Sequence, residues 1–326
     1  MAFNVFQNSQ QGAAFVICVV TIPLCTIAII LRFISTRRAR QKIGYEDIFA
    51  LLALLFHLLY TTIFLYLLSR LNGQVYIEIG AVSPSKLIHI LKVGWFTSAQ
   101  YTGNQLFTKL SLLVFYHRLF SINRTFDRWL QFLGILQIAW FVPVYLVKYF
   151  FCLPVESIWN LSVPGKCINI GAFLAATESI NSLIDFAMII LAVWIVNSLQ
   201  MSNHAKWKLG MLFALGGLSG IIGLIKIKEA YSAAYNNFLS PIWDIVQMST
   251  SIICCCAPIY KPLISDLKIL KTLKATFSSS DSQSKSRNFS TSGRSWATDS
   301  NRYETGDEAW LRLEERGHGR GADRFE

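Results

Sequence analysis

Seven stretches of this 326-residue chain are apolar enough, over about twenty residues or more, to cross roughly 30 Å of hydrocarbon as helices. They lie near 13–34, 47–69, 87–116, 129–151, 171–197, 207–227 and 241–264. In lipid the backbone must satisfy its own hydrogen bonds, which only helices and closed barrels achieve. The pattern therefore predicts an all-α, seven-transmembrane helix bundle. The third run is long and must tilt or extend past the membrane. Only 15% of residues are charged and mean hydropathy is +0.42, which excludes a soluble enzyme.

The net charge of +11 invites a nucleic-acid reading, but the basic residues cluster between the apolar runs. RFISTRRARQK (32–42), HRLFSINRTFDR (117–128), HAKWK (204–208) and Lys261 to Lys274 carry fourteen Lys and Arg. The other side carries six: Arg70, Lys86, Lys148, Lys166, Lys226 and Lys228. Such an asymmetry orients a membrane protein, here with the N-terminus outside or lumenal and the C-terminus cytosolic. No nucleic-acid partner is expected. Residues 1–12 lack the basic region of a cleavable signal and form a short lumenal N-terminus. Residues 13–264 form the membrane domain, and 265–326 a cytosolic tail, Ser-rich and disordered from about 275. Cys152 and Cys167 flank one outer loop and are placed to form a disulfide. Asn160-Leu161-Ser162 is a glycosylation sequon on the same side.

An ionisable group inside a span costs several kcal/mol, roughly, unless paired or hydrated, so each is a candidate functional residue. In the fifth run Glu178 and Asp185 are seven apart and share one helical face with Asn181. Asp185 lies roughly 21 Å of rise from the start of that run. His57 is near the middle of the second run. The third supplies Gln100, Tyr101, Asn104 and Lys109, and the seventh opens with Trp243 and Asp244. On a plain reading these groups bond helices together, and Lys109 is expected to pair with Asp47. On a functional reading, a carboxyl in an apolar pocket stays protonated and donates a proton. Trp95, Tyr101, Trp140, Trp194 and Trp243 would then line the pocket and stabilise a cation with their ring faces, although Trp243 also suits an interfacial belt. Gly216, Gly220 and Gly223 form a small-residue face for close helix contact.

The seventh run has no lysine at mid-span to anchor a Schiff base. There is no aspartate-rich motif for magnesium diphosphate, and no P-loop, GxSxG or HExxH. No metal and no cofactor are expected. No inverted repeat supports a transporter.

Several motifs together resemble the fungal rhodopsin-domain integral membrane proteins of the satratoxin-cluster type. The Arg-rich first inner loop ends in Gly44-Tyr45-Glu46-Asp47, where the family has an acidic pair. The third run closes on Lys109-Leu110-Ser111-Leu112-Leu113-Val114-Phe115-Tyr116-His117-Arg118-Leu119-Phe120. Cys152-Leu153-Pro154, Trp159 and Cys167 match its outer loop, and Asn181 with Asp185 its Asn-x-x-x-Asp. Ala257-Pro258-Ile259-Tyr260-Lys261-Pro262-Leu263 matches its closing motif. The chain departs from the family at Gln247, where a Glu is usual, and at Lys226, where an Arg is. The proline pair late in the fifth run is replaced by Leu191-Ala192-Val193-Trp194.

Membrane-bound terpene cyclases of the ascofuranone and macrophorin pathways look similar in size and layout. That resemblance implies acid-initiated cyclisation of a prenyl or epoxy-prenyl chain, as in meroterpenoid biosynthesis. Asp185 or Glu178 would be the acid, oriented by His57 or Asn181. Gln100, Tyr101, Asn104, Asp244 and the four tryptophans would hold a lipophilic isoprenoid-type substrate entering from the bilayer. The alternative is a receptor-like, non-enzymatic protein of a metabolite cluster that binds a small lipophilic ligand and engages cytosolic partners through its inner loops and tail. Either reading suits the endoplasmic reticulum or another endomembrane.

Overall fold

The computed structural model describes residues 9–38, 42–71, 84–120, 124–160, 162–198, 216–228 and 239–257. All lie in one of the chain's two compact units, residues 1–200 with 206–266. The predicted tail, the Lys261 to Lys274 segment, the HAKWK segment and most of the closing Pro-containing motif fall outside the described residues.

Seven helical segments follow the seven apolar runs: α1 (Ser9–Arg38), α2 (Tyr45–Leu71), α3 (Pro84–Phe120), α4 (Arg124–Tyr149), α5 (Ile170–Ser198), α6 (216–228) and α7 (Leu239–Cys256). Local chemistry sets several of their ends. Pro84 opens α3 at a position where a missing N–H costs nothing. Glu46 and Asp47 sit in the first turn of α2, and Arg37 and Arg38 in the last of α1, each matching the helix dipole. Asn169 caps α5, its side-chain oxygen accepting the Ala172 N–H at 3.2 Å. Pro23 and Pro143 lie within α1 and α4, tolerated where neighbouring helices can compensate.

α3 is the central element and packs against α2, α4 and α7, while α1 closes over α2 and α7. Gly103 admits the Phe56 ring between α2 and α3: a Cβ there would stand 2.6 Å from the ring edge. α6 turns its glycine face inward, Gly216 and Gly217 against Ile189 and Gly220 against the Phe186 ring of α5.

Burial is inverted relative to a water-soluble protein. Val16, Val20, Leu24, Ile27 and Ile30 of α1 and Ile135, Ile138, Val142 and Leu146 of α4 point outward, whereas Arg32, Glu46, Asp47, Lys109, Glu178 and Asp185 are buried. Apolar outside and charged inside is the arrangement a bilayer requires. Four helices, Ser9–Arg38, Tyr45–Leu71, Arg124–Tyr149 and Ile170–Trp194, are long and apolar enough to span. α3 falls below that hydropathy because Gln100, Asn104, Gln105, Thr108 and Lys109 line its buried face. The molecule is a helical membrane bundle.

Between α4 and α5 a small hairpin closes one end of the bundle, called here the disulfide end. β1 (Cys152–Leu153) pairs antiparallel with β2 (Lys166–Cys167), placing Cys152 opposite Cys167, and a disulfide joins them. A single 3-10 turn, Val155–Ile158, leads to Trp159, which meets Trp95 at 5.3 Å. The opposite, arginine end carries Arg37, Arg38, Lys42, Arg124 and Arg128.

Candidate functional site

The interior charges gather in two lysine-centred clusters. The first lies toward the disulfide end. Lys226 of α6 places its Nζ 2.9 Å from Glu178 Oε1 (α5), 2.6 Å from Asp244 Oδ1 (α7) and 3.2 Å from Gln247 Oε1. The ammonium also lies 3.9 Å from the centre of the Tyr101 ring, a cation–π contact. Each carboxylate takes a phenol on its second oxygen: Tyr101 donates to Glu178 Oε2 at 3.1 Å and Tyr60 to Asp244 Oδ2 at 3.0 Å. Lys148 places its Nζ 5.1 Å from the same Tyr101 ring and donates to the Ser98 carbonyl. With two carboxylates and two ammonium groups the cluster is formally neutral. Burial is affordable only with such pairing.

The second cluster lies one to two turns along α5. Lys109 donates to Asp185 Oδ1 at 3.1 Å and to the Asn181 carbonyl and Oδ1 at 3.1 and 2.5 Å. Ser219 of α6 donates to Asp185 Oδ2 at 3.3 Å, lies 3.2 Å from Ser251 of α7, and Gln105 Nε2 donates to Ser251 at 3.4 Å. Beside this cluster is a cavity of about 40 Å³ between α3, α5, α6 and α7, with room for roughly two or three waters. Its polar wall is Thr108, Lys109, Asp185, Ser219 and Ser251; Leu112, Tyr116, Met188, Ile189, Gly216, Cys254 and Cys255 line the rest.

Asp185, Glu178, Asn181, Tyr101 and Asp244 are thus brought into these two clusters from three helices, α3, α5 and α7. Lys109 corrects the expectation that it pairs with Asp47. Asp47 is taken by Arg32, whose Nε lies 2.8 Å from its Oδ1 and whose Nη1 donates to the Cys255 carbonyl at 2.7 Å. Neighbouring Glu46 pairs with Arg118 at 2.6 Å. Lys226 and Lys148 are a second correction: both were counted among loop charges, and both reach into the bundle.

Other candidates lie elsewhere. His57 is fully buried on α2 with neither ring nitrogen hydrogen-bonded, so no bond ties it to either acid. Asn104 bonds the Ala53 carbonyl of α2 at 2.7 Å, and Gln100 reaches only the Phe96 carbonyl of its own helix. Trp95 sits at the disulfide end, donating to the Tyr149 carbonyl at 3.2 Å. Trp140 packs in the apolar cluster of Leu113, Tyr116 and Phe126. Trp194 is 44% exposed on the outer face of α5, and Trp243 is half-buried. Asn160, in the hairpin, accepts the Ser162 N–H. Among the described residues no group of His, Cys, Asp and Glu is arranged to hold a metal.

The Fungal rhodopsin domain family matches residues 31–266, which span every helix from the end of α1 to α7. The chain belongs to that family. The fungal rhodopsin-domain proteins it is similar to include satratoxin biosynthesis SC1 cluster protein 4 of Stachybotrys chartarum, 47% identical over half of this chain. That aligned stretch spans 62% of the satratoxin protein's own length. Wortmanamides biosynthesis cluster protein C of Talaromyces wortmannii is 36% identical over 82% of this chain and 75% of its own. An SAT4 family membrane protein of Emericella nidulans is 29% identical over 54% of this chain and 47% of its own. No solved structure matches. Lys109, Asn181, Asp185, Glu178, Lys226 and Asp244 all lie inside the family region.

Proposed function

We propose that this protein serves a secondary-metabolite gene cluster from within a membrane, binding a small lipophilic molecule inside its bundle and relaying that event as a receptor does. The observation that carries the reading is the engagement of the three acids of α5 and α7. Glu178 and Asp244 are held by Lys226, and Asp185 by Lys109, in contacts of 2.6 to 3.1 Å. A general acid must present a transferable proton, whereas a carboxylate gripped by an ammonium is acceptor-only. These contacts join α3, α5, α6 and α7, and the bond from Tyr60 to Asp244 adds α2. A ligand that displaces one partner changes the pairing of the next, which gives the differential contacts a two-state response needs.

In this reading the arginine end faces the cytosol, the N-terminus and the disulfide hairpin face the lumen of an endomembrane, and the tail meets cytosolic partners. The cluster-linked names of two relatives support the setting. A second reading, acid-initiated cyclisation of a prenyl chain, is favoured by the position of Asp185 on a cavity that Leu112, Met188 and Ile189 also line. It requires Asp185 to exchange Lys109 for a proton.

One experiment separates the two. Membranes carrying the full chain are incubated with prenylated phenols and their terminal epoxides and read by mass spectrometry. In parallel, cluster transcripts are followed in the native host after its metabolite is added. The receptor reading expects unchanged phenols, and a transcript response that disappears when the gene is deleted. A product of unchanged mass and shifted retention, absent from a folded Asp185→Asn variant, overturns it in favour of the cyclase.

A further inference from the structure

The cavity beside Lys109 and Asp185 has a chemical selectivity that follows from counting its protons. Lys109 has three N–H donors, and all three are used, on Asp185 Oδ1, the Asn181 carbonyl and Asn181 Oδ1. Ser219 gives its single proton to Asp185. The 3.2 Å contact between Ser219 and Ser251 therefore runs from the Ser251 hydroxyl to the Ser219 oxygen, which uses the Ser251 proton. Thr108 spends its own on the Asn104 and Gln105 carbonyls one turn back. What these four side chains leave open toward the cavity is lone pairs. The Lys109–Asp185 pair has no net charge.

We propose that this cavity is a subsite for the hydroxyl of a neutral alcohol or phenol, whose apolar body lies along Leu112, Met188 and Ile189. Against the wall of Thr108, Lys109, Asp185, Ser219 and Ser251 a carboxylate or phosphate meets acceptors and would have to break the lysine pair. An amine cation would sit beside an ammonium with one carboxylate already spent. A hydroxyl donates to Ser219, Ser251 or Asp185 without disturbing any existing bond. The volume of about 40 Å³ suits a head group and not a whole ligand, so the body extends beyond the cavity along its apolar wall. This names the ligand class of the receptor reading and rests on that reading only for its biological use.

Full-length protein in nanodiscs is titrated with 4-octylphenol, its methyl ether, 4-octylbenzoate and 4-octylbenzylamine, with thermal stabilisation and tryptophan quenching as readouts. The phenol binds, and the three analogues bind roughly tenfold to a hundredfold more weakly, as expected for one hydrogen bond to a charged or polarised acceptor. Ser251→Ala weakens phenol binding several-fold and leaves binding of the ether unchanged. If Ser251→Ala fails to fold, Ser219→Ala serves instead, with the same expected pattern. Equal binding of phenol and ether, or tighter binding of the benzoate, overturns the subsite. Phenol-selective binding without any dependence of cluster transcripts on the gene leaves the subsite standing and removes the receptor. A transcript response with an unselective cavity does the reverse.

Discussion

Lys226→Met removes one ammonium from between two buried carboxylates while keeping most of the side-chain volume. The three side chains are 7% (Lys226), 7% (Glu178) and 18% (Asp244) exposed, so water cannot replace the missing partner. Breaking one buried pair typically costs about 3–5 kcal/mol, mostly because an uncompensated charge is left behind. Tyr101 and Tyr60 still donate to the two carboxylates, and Lys148 still lies near the ring, so the lower part of that range applies. At roughly 2–4 °C per kcal/mol for a chain of this size, the melting temperature falls by on the order of 10 °C. The assay is size-exclusion chromatography of the full-length protein in detergent after heating to graded temperatures. Adding Glu178→Gln and Asp244→Asn restores most of the loss, since no buried carboxylate is then left without its ammonium and Lys148 keeps the Ser98 carbonyl as acceptor. A single variant that loses less than about 1 kcal/mol, or a triple variant no better than the single, refutes the reasoning. In that case the pair is hydrated or weakly coupled, and the receptor reading loses its coupling element.

Gly220→Val places a branched side chain where even a Cβ stands 3.1 Å from the Phe186 ring, and costs about 1–3 kcal/mol by the same assay, with Gly217→Val milder because its Cβ has 3.7 Å of room. Removing the hairpin bridge with Cys152→Ser and Cys167→Ser opens a loop of 15 residues' separation, worth about 3 kcal/mol in the chain-entropy account, and shows as lower thermostability of the oxidised protein only. Asn160 carries glycan if the disulfide end is lumenal: an endoglycosidase-sensitive band that Asn160→Gln abolishes is expected, while labelling of an engineered sequon in the Lys42 loop instead reverses the orientation.

The helices were legible because a bilayer demands long apolar runs, and where both ends are described they moved only by a few residues: 47–69 became Tyr45–Leu71 and 171–197 became Ile170–Ser198. Glu178, Asn181 and Asp185 were legible as one face, since helical period places them there whatever surrounds the helix. Their partners were not. Period says which way a residue points on its own helix and nothing of which neighbour stands opposite, so Lys109 could be matched with Asp47 on depth alone. Lys226 was hidden for another reason. A lysine near the end of an apolar run ordinarily extends its head group to the interface, and only the tertiary arrangement shows this one turned inward to Glu178 and Asp244. The unpaired acids were the available clue, because two carboxylates in the fifth span and one in the seventh call for cations. Trp194 failed in the opposite sense, a ring near a helix end that faces outward.

Arg32 has a consequence for how the molecule is made. Its guanidinium is fully buried, bonded on one side to Asp47 and on the other to a carbonyl at the last turn of α7, 223 residues later. That carbonyl belongs to the group a helix end leaves without an internal acceptor role. Synthesis proceeds from the N-terminus, so the charge of Arg32 is met as soon as α2 brings in Asp47, while Nη1 waits for the last helix to supply its acceptor. A chain that stops before α7 leaves that guanidinium proton without the Cys255 carbonyl. Completion of the polypeptide is thereby registered at the first helix, in a bond that only the final helix can close.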